Sequence, residues 1–360
     1  MSDTTSTAVE DFVLESGEVI SSDQIIDITV VGAGPAGLFT VFSAGVQEAR
    51  CRVIDSMPQV GGQLTALYPE KVIYDVPGFP KVTAKDLVDR LYEQAQQFNP
   101  EIHLSETVVN VERLKHRILA VTTDRGNVHY SRSVVIAAGI GAFTPRLPDD
   151  EVFAGFGEEH GFYTAVRDKS KFKGREVVIL GGGDSAVDWV LGLAEEARSL
   201  AVVHRRNEFR AMGHSVTKMR ELAEEGKVNV ITPYNFKSVD TDNNGHVTGV
   251  TVEDKGGAEM HLKCDRLLCL LGFKNDLGPI VEWDLRFEDS AIKVEADMQT
   301  NIPGVFAVGD IASYPQKIKL ILTGFADASI AVQNCIPYIR PGKKASHVFT
   351  SVRGLPAGSK

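Results

Sequence analysis

The 360-residue chain carries 38 Lys+Arg against 48 Asp+Glu, a formal net charge of −10. That balance excludes the basic footprint of a nucleic-acid binder, and 43% apolar with 24% charged residues excludes a disordered or collagen-like chain. Four scattered Cys are too few for a disulfide scaffold and suit a reducing, cytoplasmic setting.

At roughly 150 residues per domain, the length suggests two domains. The first 30 residues hold seven acidic side chains and no Lys or Arg, so no basic segment marks a secretory signal. Residues 1–24 read as a flexible acidic arm. The uncharged stretch Ile28 to Gln47 is about as long as a membrane span. Gly32, Gly34, Pro35, Gly37 and Gly45 break it into strand, turn and buried helix, so no membrane association is expected.

Ile26–Val31 reads as a buried strand, Ala36–Glu48 as a helix and Arg52–Asp55 as a second strand. Thr83 followed by Asp86 marks a capped helix start, and that helix runs to near Phe98, ahead of Pro100. Ile102–Leu104, Val108–Arg113, Ile118–Thr123, Asn127–Ser131 and Val134–Ala137 follow as strands. The series restarts at Glu176–Leu180 with strand, Gly turn and helix. It continues through strand Leu200–His204, helix Val216–Glu225, and strands Val228–Thr232, Val247–Asp254, Glu259–Lys263 and Arg266–Leu271. A third return, Val305–Val308, leads through Gly309-Asp310 to a helix over Ala326–Tyr338. Repeated βαβ units imply an α/β fold of parallel sheets covered by helices.

Two Gly turns carry the chemistry. Gly32, Gly34 and Gly37, with Pro35 and Ala36 between, form G-x-G-x-x-G at a strand-to-helix turn. The first Gly permits the turn, the second lets a pyrophosphate approach the backbone, and the third allows close helix packing. Helix N-terminal N–H groups then meet the phosphates. Asp55, 23 residues beyond Gly32, ends the second strand, where a carboxylate accepts ribose hydroxyls. The second turn, Gly181 and Gly183 followed by Asp184, Ser185 and Ala186, is a G-x-G-x-x-A. Its second strand ends not in an acid but in His204, Arg205 and Arg206, with Arg210 close behind. Guanidiniums there bind a 2′-phosphate, selecting NADPH over NADH. Two such sites in one chain imply a bound flavin, FAD, beside a reducing nicotinamide, in two Rossmann-like dinucleotide-binding domains.

The residues now resemble a known family. Gly309 and Asp310, in Val305-Phe306-Ala307-Val308-Gly309-Asp310, resemble the second FAD signature of flavin disulfide reductases, in which the Asp bonds the ribityl chain. Ala137-Ala138-Gly139 with Thr144-Pro145-Arg146 resembles their interdomain crossover. A thioredoxin reductase carries a Cys-x-x-Cys in its NADP domain, whereas Cys264 and Cys269 here are separated by four residues. Cys51 and Cys335 lie in a buried-looking strand and helix. Electrons are therefore expected to leave directly from the flavin.

The pattern is similar to the thioredoxin-reductase-like ferredoxin–NADP⁺ reductases over nearly the whole chain beyond the arm. It is carried by Pro58-Gln59-Val60-Gly61-Gly62-Gln63-Leu64, by Ala66-Leu67-Tyr68-Pro69-Glu70-Lys71, and by Tyr74-Asp75-Val76-Pro77-Gly78-Phe79-Pro80. The resemblance implies an FAD-binding domain over 25–140 and 292–345, with an NADPH-binding domain over 141–291 inserted in it. It also implies a tail, 346–360, lying over the flavin. It places Gln63 and Tyr68 at the flavin, Tyr68 stacked on one face. Phe349 would stack on the other face, with Thr350 near the reactive edge. The implied activity is electron exchange between NADPH and ferredoxin, or flavodoxin, in a homodimer. An NADPH-dependent disulfide or peroxiredoxin-type reductase, a flavin monooxygenase and a non-catalytic redox-sensing module stand as alternatives.

Three further expectations follow. Domain rotation is expected at Gly139–Pro145 and near Gly304. The nine His show no H-x-x-x-H or Cys/His ligand spacing, so no metal is expected. Residues 311–360 hold Lys317, Lys319, Arg340, Lys343, Lys344, Arg353 and Lys360 against the single acid Asp327. That bias predicts a positive docking rim for an acidic partner, led by Lys319, Lys343 and Lys344.

Overall fold

The computed structural model describes residues 11–13, 17, 19–166, 168–346 and 350–356. The chain divides into two compact units. One combines Met1–Ala142 with Asp276–Lys360, and the other is Phe143–Asn275.

The first unit opens with β1 (Ile25–Val31), α1 (Pro35–Val46), β2 (Cys51–Asp55), α2 (Ala84–Gln96), β3 (Glu101–Leu104), β4 (Val108–Arg113), β5 (Leu119–Thr123) and β6 (Val128–Ile136). β1 and β2 are apolar runs buried on both faces, the mark of parallel strands covered by helices. Pro35 stands in the first turn of α1, where its missing N–H costs nothing. The Thr83 hydroxyl accepts from the Asp86 N–H at 3.1 Å, so the expected cap of α2 is present.

The second unit holds β7 (Phe162–Tyr163), β8 (Glu176–Gly181), α3 (Asp184–Leu193), β9 (Ser199–Val203), α4 (Gly213–Glu224), β10 (Asn229–Ile231), β11 (Asn235–Thr241), β12 (Val247–Glu253), β13 (Glu259–Lys263) and β14 (Arg266–Leu270). Its five-stranded sheet runs β7-β14-β8-β9-β10, all pairs parallel, and β11-β12-β13 form an antiparallel meander. The chain then returns to the first unit with β15 (Val305–Ala307) and α5 (Ile321–Ile339). There the seven-stranded sheet runs β3-β2-β1-β6-β5-β4, and β15 pairs in parallel with the C-terminal half of β6. Among the described residues no helix is long and apolar enough to cross a membrane.

Four expectations change. β6 is one strand, not two: Ser131 and Ser133 interrupt its apolar pattern but are buried, and the Ser133 hydroxyl donates to the Gly304 carbonyl at 2.8 Å. The arm is not all free. Asp11–Val13 pairs with Val19–Ser21, and Ile20 is buried with Ile25 and Ile118, a contact too distant in sequence to read. Residues 276–291 pack in the first unit rather than the second. Trp283 is buried there and its indole N–H donates to the Val109 carbonyl at 2.9 Å. The Gly304 region is not a connection between units, since it lies within the first unit, where an added Cβ on Gly304 would be 2.5 Å from the Tyr338 ring. The chain passes between units at 142/143 and 275/276, and the two connecting strands, Ala142–Pro145 and Phe273–Asp276, pair with each other.

Candidate functional site

The first site is built on the β1–α1 turn. Gly32 has φ +108°, and a Cβ there would lie 2.5 Å from the Ala137 carbonyl oxygen. A Cβ on Gly37 would lie 1.9 Å from the Gly32 oxygen, so the turn and helix close only without side chains. At Gly34 the space is open, because a Cβ would meet nothing within 4 Å. No side chain caps α1 and no acid occupies its first turn, which leaves its positive end free for a phosphate.

Asp55 is buried, and its carboxylate accepts the Ala33 N–H at 2.5 Å and the Met57 N–H at 2.7 Å. Burial raises its pKa while these two bonds oppose the rise. Each oxygen keeps a lone pair for a ribose hydroxyl, so Asp55 also braces the turn. The segment before Gln63 is tied to the same turn by the Gly61 N–H donating to the Ala33 carbonyl at 2.8 Å. Gln63 Nε2 lies 3.5 Å from where a Cβ on Gly139 would be.

Gly309 and Asp310 join from the return segment. Gly309 has φ +76°, and an added Cβ would come within 3.2 Å of the Ala36 Cβ, so Gly suits this close approach of the turn to α1. The Gly309 N–H donates at 3.0 Å to the buried carboxylate of Asp327, which also accepts the Tyr314 hydroxyl at 2.8 Å and pairs with the buried Lys317 ammonium. Asp310 is half-buried, and burial raises its pKa against the pull of Lys319 and Lys317. Tyr68 is half-buried and is raised by burial and then by the nearby Asp310 charge. Pro35, Ala36, Gln63, Tyr68 and Asp310 thus gather about one turn. Thr350 is exposed at the start of the short helix Thr350–Arg353, and no hydrogen bond among the described residues links it to the turn. Phe349 lies outside the described residues.

The second site repeats the logic within the other unit. A Cβ on Gly181 would lie 2.5 Å from the Leu270 oxygen and 2.8 Å from the Ala186 Cβ. A Cβ on Gly183 would meet nothing. Asp184 accepts the Met212 N–H at 2.9 Å, and the Arg210 N–H donates to the Gly182 carbonyl at 2.8 Å. These bonds fasten the 204–212 loop beside the turn. The His204 ring packs against Gly182 and Phe209, and its Nε2 is buried with no partner among the described residues. Burial holds His204 below the ordinary histidine value; the cations of Arg205, Arg206 and Arg210 add to this, while a hydrogen bond to the Glu208 backbone opposes it. All three Arg are exposed and make no ion pair among the described residues. Ser185 is exposed in the first turn of α3. Open cradles at Gly34 and Gly183, helix starts without a side-chain cap and the orphaned imidazole nitrogen fit dinucleotide phosphates, with the Asp184 carboxylate in the first turn of α3 drawn onto the Met212 N–H.

The four thiols are all free and buried. Burial pushes Cys264, Cys269 and Cys335 up to about 12, and raises Cys51 as well. None is poised as a thiolate. Sequence reasoning missed the Asp327–Lys317–Tyr314 cluster. It counted Lys317 and Arg340 in the basic bias of residues 311–360, but Lys317 is buried against Asp327 and Arg340 pairs with Asp27. Lys319, Lys343 and Lys344 are exposed.

A model of the family "Pyridine nucleotide-disulphide oxidoreductase" matches residues 26–332, spanning both Gly turns and the Gly309-Asp310 segment. The chain belongs to this family. Among pyridine nucleotide-disulphide oxidoreductases, it is 48% identical over 322 residues to ferredoxin–NADP reductase 2 of Shouchella clausii, covering 89% of this chain and 96% of that protein. It is 46% identical over 334 residues to the ferredoxin–NADP reductase of Rhodospirillum rubrum, covering 92% and 96%. Its fold is that of the thioredoxin reductase of Lactococcus lactis, with TM-score 0.72 at 23% identity over 87% of this chain and 99% of that one.

Proposed function

We propose that the chain is an FAD-dependent ferredoxin–NADP reductase, passing electrons between NADPH and ferredoxin. The observation that carries this reading is the contrast between its two turns. Asp55 stands behind the first, while Arg205, Arg206 and Arg210, with no ion pair among the described residues, stand behind the second. The names of the relatives that share nine-tenths of the chain support the same activity.

FAD would be held by Gly32, Gly34, Pro35, Ala36 and Gly37 at its pyrophosphate, by Asp55 at the adenosine ribose, and by Gln63, Gly309 and Asp310 along its remainder. When bound, the flavin supplies conversion of a two-electron hydride into single electrons. NADPH would lie on Gly181, Gly183, Asp184, Ser185 and Ala186, with His204, Arg205, Arg206 and Arg210 about its 2′-phosphate. Tyr68 would stack on one flavin face, an assignment supported by its position near Asp310. Phe349 and Thr350 are assigned to the other face on family resemblance alone. The chain's own work is to bind, orient and supply charge. No thiol is available to take the electrons onward, which disfavours a disulfide reductase. Flavodoxin as a second partner and a homodimer, resting on the resemblance, and a cytoplasmic location, resting on the four scattered Cys, complete the proposal.

The test is NADPH oxidation by purified protein with ferredoxin as acceptor, against thioredoxin and oxygen. Ferredoxin-dependent turnover well above both controls is expected. Equal rates with all three would sink the reading.

A further inference from the structure

Outside both Gly turns, three side chains converge from separate places in the first unit. His103 lies on β3, Glu106 in the turn after it, and His129 on β6. The β5–β6 hairpin loop folds onto that turn: the Asp124 N–H donates to the Thr107 carbonyl at 2.8 Å, and the Arg125 guanidinium donates to the Ser105 carbonyl at 2.6 Å. His103 Nδ1 then lies 3.6 Å from Glu106 Oε2, and His129 Nε2 lies 3.5 Å from Glu106 Oε1. One ligand atom from each residue falls within 4.8 Å of the other two. The imidazoles are 4.7 Å apart between centroids and tilted by 59°.

We propose that His103, Glu106 and His129 form a binding site for a borderline divalent cation, Zn²⁺ foremost, held by two imidazole nitrogens and a carboxylate oxygen. Zn²⁺ at about 2.0–2.1 Å from each ligand sets tetrahedral ligand atoms roughly 3.3 Å apart. The two His–Glu separations are near that value but run to different oxygens of the carboxylate, so the three ligand atoms, within 4.8 Å of one another, must draw in to meet one ion. His103 is 34% exposed, so its ring can turn to close the remaining gap and gives the ion a way in. Two neutral-nitrogen donors and one carboxylate suit Zn²⁺, Co²⁺ or Ni²⁺, whereas Mg²⁺ and Ca²⁺ take oxygen ligands.

A second layer holds the carboxylate. Glu106 is almost wholly buried, and its Oε1 accepts the Thr123 hydroxyl and the Asn127 amide, each at 2.7 Å. That leaves Oε2 toward His103, the arrangement by which outer partners orient a ligand. The other charge bearing on the group is Arg52, which is paired with Glu101. The sequence hides the site because its imidazoles are 26 residues apart, on different strands.

The test is equilibrium dialysis of the tag-free full-length protein against micromolar Zn²⁺, with metal counted by plasma mass spectrometry and folding followed by far-UV circular dichroism. Wild type should bind about one Zn²⁺ per chain. His103→Ala, at the exposed ligand, and His129→Gln should each weaken binding at least ten-fold without changing the dichroism. Asn127→Ala, which touches only the outer layer, should weaken it about 10–100-fold. His246→Ala, an exposed imidazole in the other unit paired with Asp242, serves as control and should change nothing. No binding by wild type, or full binding by His103→Ala, would overturn the proposal.

Discussion

Asp327 offers the sharpest test of what holds the Gly309-Asp310 turn. Its carboxylate is 1% exposed and gathers the Gly309 N–H, the Tyr314 hydroxyl and the Lys317 ammonium, itself 6% exposed. Asp327→Ala strands a buried cation and two buried donors. Breaking a buried pair from one side costs about 3–5 kcal/mol, because the surviving charge has lost its partner without regaining water. For domains of roughly 150–250 residues each kcal/mol moves the melting temperature by about 2–4 °C, so a fall of about 6–20 °C is expected. Removing both charges, as in Lys317→Met with Asp327→Leu, should recover the part of that loss that comes from the stranded cation, while the Gly309 N–H and the Tyr314 hydroxyl still lack their acceptor. The two single variants and the double variant, followed by calorimetry, complete the cycle. If Asp327→Ala costs under about 1 kcal/mol, or the double variant is as unstable as the two singles summed, the cluster does not act as one unit.

Three other outcomes are expected. Arg205→Ala removes a charged hydrogen bond worth about 1.5–3 kcal/mol, so the NADPH Michaelis constant should rise roughly ten- to a hundred-fold while the NADH value hardly moves; equal losses with both coenzymes would make this Arg structural. Replacing exposed Lys343 and Lys344 with Glu should slow ferredoxin reduction at low salt and spare reduction of a neutral acceptor, and wild-type rates at low salt would place the docking rim elsewhere. Glu106 is buried, which would raise its pKa, but Asn127, Thr123 and His129 outweigh this and lower it from 4.5 to about 2. A depressed folded pKa lends stability above 4.5 that is lost as pH falls toward about 2, so acid unfolding should be shallower over that window in Glu106→Gln.

What was legible depended on how local its cause was. β1 and β8 could be read because parallel strands buried on both faces are mostly apolar runs that end at a Gly turn. The α2 cap could be read because Thr83 and Asp86 are three residues apart. Both Gly turns were visible for the same reason, and contacts at Gly32, Gly37 and Gly181 explain why no other residue fits. The unread parts are long-range. Nothing near Asp327 announces that Tyr314 and Lys317 will fold onto it, so a buried lysine was counted as surface charge. Nothing near Ile20 announces Ile118. Trp283 looked like part of the second unit because the strand pattern before it belongs there, but its burial in the first core and its hydrogen bond to Val109 give it to the first.

The order of strands in the first sheet has a consequence for how the chain is made. Val134–Ile136 on β6 pairs with Val305–Ala307, and the whole second unit lies between them in sequence. During synthesis from the N-terminus, the first 142 residues leave the ribosome with that half of β6 lacking its neighbour. At about 5–20 residues per second, it stays open for roughly 10–30 s while the inserted unit is translated. The inserted unit carries both partners of every strand pair in its own sheet and can close first. An apolar, unpaired strand edge invites misassociation with other nascent chains. Chaperone demand should therefore peak before residue 305 appears, and nascent chains halted just short of β15 should be the most aggregation-prone.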